Sequence, residues 1–235
     1  MEKATCVIEH HAVLYGLLAK EAICQGLEAR CALGVATARY GWERGQRMAQ
    51  YAKEEGVEAT MPTYAIFKEW RPPALGQMVP GQTLKSPHYV TTVCRCQWVE
   101  TWKKYGLLEY GKTYCLYVDK NLVKGFNPAL ELDIPALQSF GDPCCIFNWG
   151  YERDANTELA LSTLQTKIGE KYVRDFDYHT AHLYSSIYKS LKEQLGVQGQ
   201  EICHRAMEQF VKLFGEPYRK AIQVQIQKNG WENPF

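Results

Sequence analysis

The chain contains no apolar run near the roughly 20 residues that a bilayer-spanning helix needs, so no such helix is expected in it. It also lacks an excess of either charge. Lys and Arg number 27 against 26 Asp and Glu, for a formal net charge of +1, which leaves no electrostatic footprint for nucleic acid or an anionic membrane. Absent too are a Gly-rich phosphate loop, a dinucleotide-binding fingerprint, a His-Glu-x-x-His helix and a Gly-x-Ser-x-Gly elbow. Nucleotide-driven chemistry, Rossmann dehydrogenases, zincin proteases and Ser hydrolases of the usual types are therefore disfavoured. The first residues show no secretory apolar region, and a soluble, cytoplasmic protein is expected.

What is present is ordinary globular material: 235 residues, 46% hydrophobic and 23% charged, enough for a sizeable core and read as a single domain over 1–235. Nine cysteines are an odd number in a chain with no export signal. Free thiols or a metal site in a reducing compartment are expected rather than a disulfide framework. An anaerobic bacterial cytoplasm would suit so many thiols.

Apolar residues at Val13, Leu14, Leu17, Leu18 and Ala22 follow the helical i, i+3, i+4 rule. Past Gly26 a second helix runs through Leu33 and Tyr40 to Met48 and Ala52, so 8–55 is helical. Between 56 and 88 stand Pro62, Pro72, Pro73, Pro80 and Pro87 with Gly76 and Gly81, which predicts loop with one helical turn about Tyr64–Trp70. Its aromatic residues predict a packed segment, able to serve as a lid. The core element is expected in 89–152: a strand Tyr89–Trp98, a helix Leu107–Val123, a strand Ala129–Leu137 and a strand Cys144–Glu152. Four more helices follow, near 157–169, 176–196, 199–215 and 217–228. The expected fold is α+β, a small antiparallel sheet with a packed helix, covered by N- and C-terminal helices. Those helical flanks are able to bury a homodimer interface.

The chemistry-bearing residues concentrate in two places. Glu9-His10-His11 opens the first helix, and imidazole serves near neutral pH as general base, acid or ligand. Adjacent helical residues diverge by about 100°, so one of the pair faces any given site. The second group is Cys96, Cys115 and Cys145, with Cys94 on the same strand face as Cys96 and Asp119 one helical turn from Cys115. Three thiolates with a His or Asp would make a tetrahedral zinc site. One thiolate could instead be a nucleophile, with His10 or His11 as base and Asp119 orienting it. The third reading is that these thiols fill the core. Tyr15, Trp98 and Trp149 supply flat walls for a small-molecule pocket, and His179 and His182 share a helix face.

Several ordered motifs resemble one family. They are Glu9-His10-His11-Ala-Val-Leu-Tyr15 through Lys20, Tyr40-Gly-Trp-Glu-Arg44-Gly-Gln-Arg47, Val93-Cys-Arg-Cys96-Gln-Trp98, Tyr114-Cys115-Leu-Tyr-Val-Asp119, Gly125-Phe-Asn-Pro128 and Gly141-Asp142-Pro-Cys-Cys145. Over about residues 8–150 the chain looks like an L-2-amino-thiazoline-4-carboxylic acid hydrolase. That resemblance implies a cytoplasmic hydrolase that opens a small thiazoline or related cyclic amidine, the founding activity yielding a carbamoyl-cysteine. Here the family's Cys-Pro-Trp element reads Cys96-Gln97-Trp98. Residues 89–149 also resemble vinyl-reductase-type small-ligand-binding domains, some of which bind zinc through cysteines and a glutamate. Cys115 and Cys145 fall near two of those ligand positions, while Leu137 and Ile134 occupy the others. That second resemblance implies a ligand sensor or carrier without turnover; a lyase or isomerase using the same pocket is the third alternative.

Overall fold

The computed structural model describes residues 4–71 and 76–235; Pro72 and Pro73 of the proline-rich stretch lie outside the described residues. The element order is α1 (Ile8–Cys24), α2 (Leu27–Glu54), α3 (Met61–Tyr64), β1 (Met78–Leu84), β2 (Val90–Cys96), α4 (Gln97–Lys104), α5 (Leu108–Phe126), β3 (Asp133–Ala136), β4 (Cys145–Asn148), α6 (Ala155–Ile168), α7 (Phe176–Leu195), α8 (Val197–Phe214) and α9 (Glu216–Asn229). The protein is α+β, helix-rich with one small antiparallel sheet.

The chain divides into two compact units. The first comprises residues up to Tyr40, Gln97–Tyr117 and Arg174–Phe235. Here α1 packs on α4, α7 and α8, and α9 packs on α7 and α8. Local chemistry sets the helix ends: the Asp175 side chain accepts from the Tyr178 N–H at 2.8 Å, satisfying one of the first-turn donors that a helix leaves unpaired. Gly196, at φ +60°, separates α7 from α8 without the steric cost any other residue would meet there.

The second unit comprises Gly41–Cys96 and Val118–Val173 and contains the sheet. Strand order is β1-β2-β4-β3, all neighbours antiparallel. The latter halves of α2 and α5 supply Met48, Ala52, Leu122, Val123 and Phe126 to a core that also takes Tyr64, Phe67, Leu132 and Ile134. Trp149 and Phe147 pack against it from the sheet, their rings stacked 5.9 Å apart. Close approach of α2 and α5 depends on glycine: a Cβ on Gly45 would run into the Leu122 carbonyl, and one on Gly125 into that of Trp42.

Three expectations are corrected. The helical turn expected about Tyr64–Trp70 lies earlier, at Met61–Tyr64. The 56–88 segment is not loop throughout, since Met78–Leu84 forms β1. This is the edge strand, where Pro80 need not donate to a ladder, and its register shifts on either side of Pro80. The strand expected to reach Trp98 stops at Cys96, and Gln97 and Trp98 begin α4.

Candidate functional site

The two imidazoles of α1 part as helix geometry requires. His11 is 1% exposed. Its Nδ1 accepts a hydrogen bond from Trp98 Nε1 at 3.1 Å, and its Nε2 lies 3.1 Å from the Tyr40 hydroxyl. An indole nitrogen only donates, so Nδ1 is unprotonated and Nε2 carries the ring's proton. The rings of Tyr40, Trp98, Tyr114 and Phe176 surround it at 5.8–6.1 Å between centroids. Both nitrogens are engaged in a closed aromatic cage that ties α1 to α2 and α4.

His10 points the other way. Its Nδ1 accepts from the Val7 N–H at 3.1 Å, and its ring stacks on Tyr218 with centroids 4.2 Å apart. Burial holds its pKa below the ordinary imidazole value. Tyr15 is fully buried, its hydroxyl 2.8 Å from Thr37 Oγ1. Burial pushes that hydroxyl's pKa up, with Cys115 adding to the shift, so these two residues are neighbours. His10, His11, Tyr15, Trp98 and Cys115 therefore all belong to the first unit.

Cys96, Asp119, Cys145 and Trp149 belong to the second unit, where residues outside the expected set complete a charged cluster. It begins with Glu69, a fully buried carboxylate. Arg47 grips it with two bonds, Nε to Oε1 at 2.8 Å and Nη2 to Oε2 at 3.0 Å. Arg44 Nε adds a third at 3.3 Å, and the Tyr51 hydroxyl lies at 3.5 Å. A buried carboxylate held this way stays ionised, because charge-assisted bonds replace its lost hydration.

The residue before Glu69 is Lys68. Its ammonium lies 5.5 Å from the Tyr64 ring centroid and 5.4 Å from that of Trp149, within cation–π range of both. Asp119 of α5 faces the same cluster. Burial pushes the Asp119 carboxyl above its ordinary range, against the pull of Lys68 and Arg44. Burial likewise lowers the Lys68 pKa, with Asp119 opposing and Arg71 and Arg44 reinforcing. Each charge feels the other, yet neither forms a hydrogen bond or close ion pair with any described residue. Both side chains remain half-buried, so solvent reaches part of each. Two opposite, perturbed charges beside flat rings, unspent on one another, are what a binding or catalytic site presents.

Cys145 borders this cluster. Its Sγ accepts from the Gln138 N–H at 3.3 Å, and burial, reinforced by Asp119, raises its pKa. It therefore stays a thiol at neutral pH, the less nucleophilic form. Cys96 ends β2 and Cys115 lies on α5; neither is in a disulfide.

The expectation of free thiols or a metal site in place of disulfides is corrected for Cys94, which is bonded to Cys144. The β2–β4 register sets Val93 against Cys145, so the next pair, Cys94 and Cys144, also lie opposite, with Cα atoms 4.1 Å apart. As for zinc, no three His, Cys, Asp or Glu among the described residues group to hold a metal ion.

Lys68 and Glu69 escaped sequence reasoning, while Tyr64 stood out there only as a packing aromatic and Arg44 only within a family motif. The available signal was Arg44 and Arg47, three apart on one face of α2, a pairing suited to a single carboxylate.

The family model for L-2-amino-thiazoline-4-carboxylic acid hydrolase matches residues 6–149. The chain belongs to this family. No curated protein and no solved structure matches it. The match runs from before α1 to just past β4, so the hydrolase family's region contains the Lys68–Asp119 cluster and His11 with its neighbours Tyr40, Trp98 and Tyr114, while α6 to α9, and with them the cage's Phe176, lie outside it. The family name supports a hydrolase at that level.

Proposed function

We propose that the protein hydrolyses a small cyclic amidine of the thiazoline type at the Lys68–Asp119 cluster. The observation that carries this reading is the Lys68–Asp119 pair itself: opposite charges beside Tyr64 and Trp149, coupled electrostatically but not bonded to each other. A ring bearing an amidine at one end and a carboxylate at the other complements both. Lys68 holds the carboxylate, and the cluster's cations (Arg44, Arg47, Lys68 and Arg71 beside Glu69 and Asp119) favour an anionic group. One oxygen of Asp119 accepts the N–H of the amidine. The rings of Tyr64 and Trp149 bound the flat heterocycle.

The second Asp119 oxygen takes a proton from water as its oxygen bonds to the ring carbon between sulfur and nitrogen. The C=N electron pair moves to the ring nitrogen, which carries a proton. As the tetrahedral centre collapses to a carbonyl, its hydroxyl proton passes to solvent, the C–S bond breaks, and sulfur leaves with the proton Asp119 took up. The balance is the protonated amidine plus one water, giving the ring-opened thiol and one proton. A carboxylate with a raised pKa is the stronger base for the first step.

The test is incubation of the full chain with thiazoline carboxylates, hydantoins and other cyclic amidines, following a mass gain of one water and the appearance of a thiol. Turnover of a thiazoline carboxylate is expected, with Lys68→Met raising KM about tenfold or more, the scale of one charge-assisted hydrogen bond. Binding across the panel without any mass gain would contradict a hydrolase and favour a ligand carrier.

A further inference from the structure

Glu69 touches no part of the proposed reaction, yet it is a fully buried carboxylate. Burying a carboxylate is costly unless it is paired. Its partners, Arg44 and Arg47, come from α2, and Tyr51 from the next turn of the same helix. The bidentate bond to Arg47 fixes orientation as well as distance, because the planar guanidinium and carboxylate match along two parallel bonds. What it fixes is a segment with little regular structure: α3 ends at Tyr64, and Ala65–Arg71 holds no helix or strand. Lys68 is carried by that segment, one residue from the clamp.

We propose that Glu69 is a positioning residue for Lys68: its clamp on Arg44 and Arg47 anchors the 65–71 segment to α2 and holds the Lys68 ammonium over the rings of Tyr64 and Trp149. This rests on the reading of the Lys68–Asp119 cluster as the substrate site, and it extends that reading to a residue that the substrate does not meet. The charges that face Lys68 are Asp119 from α5, Arg44 from α2 and Arg71 from its own segment. Among them only Asp119 attracts it. Two arginines would otherwise repel the ammonium from its place, so an anchor on the backbone is required. Phe67, fully buried in the unit's core on the other side of Lys68, is the second fixed point. Lys68 is thus held between an apolar anchor and an ionic one. A free side chain in this environment would swing toward water, where its charge is better solvated.

The position of Lys68 is readable without any substrate. The full-length protein is labelled with an amine-acylating reagent across a pH series, and modification of Lys68 is followed by peptide mass spectrometry. In the wild type the labelling midpoint lies below the ordinary lysine value of about 10.4. In Glu69→Gln, release of the segment lets the amine reach water, and the midpoint moves up toward that value. Loss of the Glu69 charge acting directly on a fixed Lys68 would move it down instead. A downward or unchanged midpoint in the folded variant therefore overturns the proposal.

Arg47→Lys keeps the charge but breaks the bidentate grip; it replaces Glu69→Gln if that variant does not fold, with the same upward shift expected. Turnover supplies an independent arm. Glu69→Gln should raise KM for the carboxylate-bearing substrate about tenfold, and should add less than about twofold in a Lys68→Met background. Equal losses in both backgrounds would overturn the coupling. If no substrate is turned over while the labelling midpoint still rises, the hydrolase reading fails and the positioning role stands.

Discussion

Asp119 and Lys68 each hold their charge at a disadvantage. An acid whose folded pKa lies above its unfolded value binds its proton more tightly in the fold. Asp119 thus contributes stability fully only below its ordinary 3.8, and that contribution is lost as pH rises through the raised folded value. Lys68 runs the opposite way: its folded pKa is depressed, so stability is present above its ordinary 10.5 and lost as pH falls through the folded value. At neutral pH the ionised pair is held at the expense of stability, a trade common at functional sites. Lys68→Met is therefore expected to leave the urea midpoint at pH 7 unchanged or higher, while raising KM; a clearly lower midpoint would mean that Lys68 serves the fold. The acid limb of the kcat/KM profile is expected above 3.8, and to vanish in Asp119→Asn. His11 presents the contrary case. Its two hydrogen bonds and four ring contacts predict that His11→Ala costs about 3 kcal/mol, as a buried aromatic truncation with lost hydrogen bonds does. Chemical denaturation of the full chain measures it.

At the scale of elements, legibility in the sequence followed the strength of the local pattern. The long helices were plain, because apolar periodicity over 14 to 28 residues leaves little ambiguity, whereas the eight-residue α4 was not expected. Edge strand β1 was hidden, since Pro80 and Gly81 read as breakers and only its place beside β2 makes them tolerable. The end of β2 was overrun by two residues because Trp98 has β-propensity in isolation; packing beside His11 decides that it begins α4 instead. The α2–α5 crossing in the sheet-bearing unit was invisible too, as Gly45 and Gly125 look like mere interruptions until the facing backbone is known. Gly45→Ala should cost roughly 1–3 kcal/mol despite the better helix propensity of alanine, because the Leu122 carbonyl and Phe126 amide must move. A thermal melt that rises instead would show that the crossing has slack.

For the whole molecule, composition bounded the class and spacing could not assemble the site. Asp119, Cys145 and Trp149 were singled out from the sequence, and the second unit holds all three; Lys68 came from a segment of prolines and aromatics with no periodic signal. Thiol count also misled. The Cys94–Cys144 pair, 50 residues apart, closes a loop whose removal from the unfolded ensemble is worth about 4 kcal/mol in the chain-entropy account. A lower melting temperature after reduction with a dithiol is the expected outcome, and an identical melt would show that the bond contributes nothing.

The proposed hydrolysis depends most on Asp119. Its direct test is kcat/KM for a thiazoline carboxylate in Asp119→Asn beside the wild type, with the melting temperature of both. Loss of the base predicts a fall of at least about 100-fold, with the melting temperature unchanged or higher. A folded Asp119→Asn protein that turns over at the wild-type rate would contradict it.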